Sequence, residues 1–110
     1  MPTARGLNRS YLKITPSELF WQQVRNSNSE LEFIDFHEPS IYLLEEDIWE
    51  NEIILEKYYI TIAKVEYSQH MLEVSDHLLP DNLEGFLELF DFELGSTVLD
   101  LIANKPLAYL

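Results

Sequence analysis

The chain has 110 residues, 46% of them hydrophobic and 13% aromatic, with 20 Asp and Glu against 7 Lys and Arg for a formal charge of −13. That size suits one domain with a real core and argues against general disorder. The lack of cysteine excludes a disulfide framework, thiol catalysis and cysteine-based zinc or iron–sulfur sites, and fits a reducing, cytoplasmic setting.

The charge is unevenly placed. Residues 1–17 carry Arg5, Arg9 and Lys13 and no acid, whereas all the acids fall from Glu18 onward, where the bases are Arg25, Lys57, Lys64 and Lys105. Residues 1–14 read as a basic N-terminal arm, loose unless something ties it down, and residues 15–110 as a single acidic globular domain. The arm has no continuous apolar stretch of the kind a secretory signal needs. No run approaches the roughly 18 apolar residues of a membrane span. An acidic body repels phosphate backbones and anionic lipid, so neither nucleic acid nor membrane is an expected direct partner.

In chain order, Thr15-Pro16-Ser17-Glu18 reads as a helix start, with Thr15 as cap, Pro16 in the first turn and Glu18 closing a capping box. Phe20 and Val24, with Ser17 and Trp21 beside them, would form one face of this short helix. Residues 31–36 read as a strand and Ile41–Leu44 as its returning partner. Tyr58–Tyr67 is rich in strand formers and is assigned to a strand, although Leu55, Tyr58, Ile62 and Val65 also fit a helical stripe. Tyr67, Met71, Val74 and Leu78 follow helical spacing. Asp81 and Glu84 mark a second helix start, with Leu83, Phe86, Leu87 and Phe90 on one face. A final short helix would begin at Gly95-Ser96 and stop at Asn104-Lys105-Pro106. The expected fold class is α+β, with an N-terminal helix, a small antiparallel sheet drawn from residues 31–67 and C-terminal helices; an all-α fold is the alternative if residues 45–79 are continuously helical.

Glu45, Glu46, Asp47, Glu50, Glu52 and Glu56 form a dense acid cluster around Trp49. On a helix Glu46/Glu50 and Glu52/Glu56 would be like-charge pairs, each destabilising by a few tenths of a kcal/mol. Lys57 is the nearest base and relieves neither pair by helical spacing. The plain explanation is a solvated face that keeps the chain soluble. The functional one is a docking surface for a basic partner, with Trp49 as an anchor among polar groups. Small acidic inhibitors, immunity proteins, antitoxins and DNA mimics work this way, their partners being nucleases or other nucleic-acid-binding proteins. A non-enzymatic interaction protein is therefore the expected function, and a homodimer is compatible with it. An adaptor or structural subunit of a larger assembly is the second expectation.

His70, Glu73 and His77 would share one helical face and are legitimate metal ligands, His37 being the nearest candidate for a further one. Their spacing matches no established metal motif, so no cofactor is expected. The three glycines are scattered, leaving no phosphate loop, and twenty acids make so many carboxylate pairs that none marks a catalytic site. Leu79-Pro80-Asp81-Asn82-Leu83-Glu84-Gly85-Phe86-Leu87 is similar to a Leu-Pro-then-helix segment of one bacterial immunity-protein superfamily. There the segment usually comes early in the chain, and no family is assigned on it.

Overall fold

Apolar and polar residues alternate through Ser10-Tyr11-Leu12-Lys13-Ile14-Thr15-Pro16, the period-two pattern of a strand with one buried face. The computed structural model describes residues 4–27, 38–45, 50–102 and 104–110. In it β1 (Arg5–Gly6) is followed by β2 (Ser10–Pro16), which buries Ser10, Leu12, Ile14 and Pro16 and leaves Tyr11, Lys13 and Thr15 half-buried. Then come α1 (Glu18–Ser27), β3 (Ser40–Leu44), α2 (Asn51–Ser68), a 3-10 turn at Asp76–Leu78, α3 (Leu83–Leu89), β4 (Phe90–Gly95) and β5 (Leu99–Asp100).

The fold is α+β, with three helices and two small antiparallel sheets in mixed order. The expected class holds, but the chain starts with strands rather than a helix. β2 lies between β3 and β4, both antiparallel to it. Leu12 stands opposite Tyr42 and Leu94, and Ile14 opposite Ser40 and Phe92, on the face that meets the core. On the other face Tyr11 lies between Leu43 and Gly95, and Lys13 between Ile41 and Glu93. β1 pairs with β5, and Arg5 Nη2 donates to Asp100 Oδ2 at 2.8 Å. Thus residues 10–14, expected in a loose arm, form the central strand.

The N-terminal helix begins later than its capping pattern predicts. Thr15 and Pro16 remain in the ladder, opposite Asp91 and Phe90. Ser17 takes the position before the helix. Its N–H donates to Leu89 O and its hydroxyl to Glu88 O, both at 2.8 Å, joining the start of α1 to the end of α3. The expected face of α1 is the inner one: Phe20, Trp21 and Val24 are buried.

The assignment of Tyr58–Tyr67 to a strand is overturned, because those residues lie inside the 18-residue α2. Two adjacent rows explain the outcome. Residues 54, 58, 62 and 66 form one and residues 55, 59, 63 and 67 the other, each at i, i+4, and every member is buried or half-buried. A strand would place the even-numbered row on one face and the odd-numbered row on the other, turning one of the two away from the core. The all-α alternative is also excluded, since α2 ends at Ser68. Met71, Val74 and Leu78 do pack against the core, but from irregular chain and the 3-10 turn rather than from a helix.

α3 matches its expectation in place, with two changes. Asn82, not Asp81, caps it, its Oδ1 accepting from Gly85 N–H at 2.8 Å. Leu89 rather than Leu87 joins Phe86 in the core. The final helix expected from Gly95 is absent among the described residues: Gly95 ends β4, along which Phe90, Phe92 and Leu94 alternate, and Leu99 and Asp100 pair with β1 as β5. The strand expected at residues 31–36 lies outside the described residues. Among those described, no helix is long and apolar enough to cross a membrane.

At the sheet rim Tyr11 lies flat over Gly95, the position a Cβ there would occupy. Gly95→Ala is therefore expected to lose about 1–3 kcal/mol of stability by displacing that ring. In a Tyr11→Ala background the loss should nearly vanish. A double-mutant cycle in urea checks this, and equal losses in both backgrounds would contradict it.

Candidate functional site

The acid cluster is built from the end of β3 and the first turns of α2. Glu45, exposed just after β3, accepts from Lys57 Nζ at 2.9 Å and from the Tyr58 hydroxyl. The Tyr58 hydrogen bond, followed by that of Lys57, holds the Glu45 carboxyl down to about 2. Lys57 therefore compensates an acid twelve residues away, a contact that helical spacing could not reveal. Glu50 occupies the N-cap position of α2 without a side-chain capping bond, and Glu52 lies in the first turn. Acids there are favoured by the helix dipole. Glu50, Glu52 and Glu56 are all exposed, and none has an ion-pair partner among the described residues. Glu46, Asp47 and Trp49 lie outside the described residues. Ile53, 62% exposed among these acids, is an apolar contact point that the sequence reading passed over.

The rest of the surface repeats the imbalance. Every described carboxylate except Glu66 and Asp100 is exposed. On the basic side, Arg5, Lys13, Arg25 and Lys57 each pair with a carboxylate, leaving Arg9, Lys64 and Lys105 unpaired with acids among the described residues. The basic N-terminal segment is thus largely neutralised by Asp100 and Glu93 rather than free.

His70, Glu73 and His77 do not share a helical face, because α2 stops before the first of them. His70 is half-buried with its ring 4.8 Å from Trp21 and 6.0 Å from Phe20. Glu73 is exposed, and His77 lies in the 3-10 turn with Nδ1 2.6 Å from Ser75 Oγ. Among the described residues no three His, Asp or Glu side chains are arranged to hold a metal ion. His37 lies outside them.

A second polar centre was not anticipated. Glu66, only 2% exposed, sits in one of the two inward rows of α2. The Tyr42 hydroxyl of β3 donates to its Oε2 at 2.5 Å. Burial first, and then the Glu66 carboxylate, raise the Tyr42 hydroxyl above the ordinary tyrosine range. Glu66 also lines a cavity of about 410 Å³ with Trp21, Glu38, Pro39, Gln69 and His70. Burial lowers His70 below the usual 6.5, the Glu66 charge opposing that shift only in part, so its imidazole is neutral at pH 7. The signal for this centre was in the sequence: an acid at the fourth position of the row Ile54, Tyr58, Ile62, Glu66. No protein-family model, no curated protein and no solved structure matches the chain, so the site is read from its own geometry.

Proposed function

We propose that the protein is a non-enzymatic interaction protein that occupies a basic surface of another protein, such as a nuclease or other nucleic-acid-binding protein. Inhibitor, immunity protein, antitoxin and DNA mimic are the forms this activity would take, in the cytoplasm. The observation that carries the reading is the set of exposed carboxylates Glu50, Glu52 and Glu56, none of them in an ion pair among the described residues. Glu45 adjoins it through Lys57. Unpaired surface acids attract a basic partner over about 8 Å, the screening length in physiological salt, and speed its approach. Ile53, exposed between Glu52 and Glu56 in the sequence, offers apolar contact.

A pull-down from native host lysate, eluted with a salt gradient, tests this. The expected result is a basic protein released at moderate salt. A partner retained equally at low and high salt contradicts it.

A second reading, an adaptor or structural subunit, is favoured by the outward sheet face. Ile41 is 58% exposed there and Leu43 51%. Leu43 shares a shallow depression with Leu7 and the C-terminal Leu107 and Tyr109. A partner held by that face would be largely insensitive to salt, so the same gradient separates the two readings.

A further inference from the structure

We propose that the cleft between α1, β3 and the C-terminal end of α2 takes a guanidinium group, the arginine side chain of a basic partner, with Glu66 as its counter-ion. This deepens the reading above and rests on it, since the arginine is supplied by the same partner.

A carboxylate withdrawn from water requires compensation. Glu66 is 2% exposed, and among the described residues its side chain meets one donor, the Tyr42 hydroxyl. An ionised carboxylate offers about four acceptor positions, so most of its capacity is unused. No lysine or arginine of the described residues reaches it. The neutral His70 ring beside it supplies no counter-charge.

The cleft's shape selects among cations. The Trp21 and His70 rings, edge to face with centroids 4.8 Å apart, line the cleft together with Pro39. Flat π-systems next to a carboxylate suit the planar guanidinium, which stacks on rings and forks onto two oxygens. An ammonium would make the ion pair but gain less from the walls. The volume of about 410 Å³ accommodates the head group and part of its aliphatic stem. Exposed Glu38 stands at the rim, where it would attract a cation and repel an anion.

The test is a titration of the full chain by NMR with ethylguanidinium, with ethylammonium as a non-planar cation and with N-ethylurea as a neutral planar analogue. Saturable shifts are expected at the Trp21 indole N–H and the His70 ring with ethylguanidinium, with affinity on the order of millimolar for so small a probe. N-ethylurea should bind at least about tenfold more weakly, because it leaves the buried charge uncompensated. The response should vanish in Glu66→Gln, which keeps the side-chain shape, and persist in Glu84→Gln, an exposed acid outside both the cleft and the docking surface. Equal binding of the urea, equal binding of ethylammonium, or shifts scattered over the surface acids would overturn the proposal. If Glu66→Gln does not fold, the comparison of probes on the unaltered chain decides. A partner released by salt while ethylguanidinium ignores the cleft would sink this inference alone; an occupied cleft with a salt-insensitive partner would sink the docking surface alone.

Discussion

A chain lacking residues 1–14 is expected to be unfolded or aggregated, although those residues look dispensable by charge and position. They contain most of β2, the only strand of the three-stranded sheet with a neighbour on both sides. Leu12 and Ile14 are fully buried, and each such side chain contributes roughly 1.5–3 kcal/mol. Their removal also strips the ladder partners from β3 and β4 and exposes Tyr42, Phe92 and Leu94, which face them or sit beside them. A domain of this size has a total stability of about 5–15 kcal/mol, so the combined loss exceeds what the fold can absorb. Circular dichroism through a thermal scan checks this. A truncated chain with a cooperative transition near that of the full one would contradict the placement of β2.

Phe20→Ala should be the most damaging single truncation, reducing stability by about 3–5 kcal/mol. Phe20 is fully buried in α1 and meets the rings of two other elements, Tyr67 of α2 at 4.7 Å and Phe90 of β4 at 5.1 Å, and of Trp21 in its own helix at 5.1 Å between centroids. The cavity cannot collapse easily, because its walls belong to three separate elements. Leu19→Ala, at the neighbouring position with 38% exposure, is the control and should lie within about 0.5 kcal/mol of the natural chain. Urea denaturation of both variants measures the difference; a loss below about 1 kcal/mol for Phe20→Ala would show that the aromatic cluster does not hold the elements together.

What could be read from the residues, and what could not, follows from competing patterns. The inner face of α1 and the position of α3 were legible because their apolar residues recur at helical spacing between polar neighbours. The strand Ile41–Leu44 was legible from its β-branched and aromatic content. β2 was missed because the three basic residues of the N-terminal segment, of which only Lys13 lies in the strand, and the absence of acid outweighed the alternation Leu12-Lys13-Ile14-Thr15. β4 was missed because Phe90 also completes a helical stripe with Leu83, Phe86 and Leu87, so the alternation Phe90-Asp91-Phe92-Glu93-Leu94 was not followed. Tyr58–Tyr67 has the composition of a strand and the spacing of a helix. Burial of both i, i+4 rows decided it, and tertiary packing routinely overrides such local preference. At the candidate site, exposed Glu50, Glu52 and Glu56 could be named from sequence, whereas the Glu45–Lys57 pair joins elements whose proximity no local pattern reveals. Glu66 was visible as an acid in an apolar row, but its value depends on Tyr42, which the fold brings from β3.

The central claim is that the exposed carboxylates at the start of α2, together with Glu45 after β3, hold a basic partner. The most direct measurement is the affinity of the purified partner for two charge-neutralised forms of the chain, from about 50 mM to about 500 mM salt. One carries Glu45→Gln, Glu50→Gln, Glu52→Gln and Glu56→Gln; the other carries Glu73→Gln, Asp76→Asn, Glu84→Gln and Glu88→Gln, removing equal charge elsewhere. The account predicts that the first form loses most of the affinity and its salt dependence, while the second keeps both. Equal affinities for the two forms, or an unaltered affinity across the salt range, would contradict it.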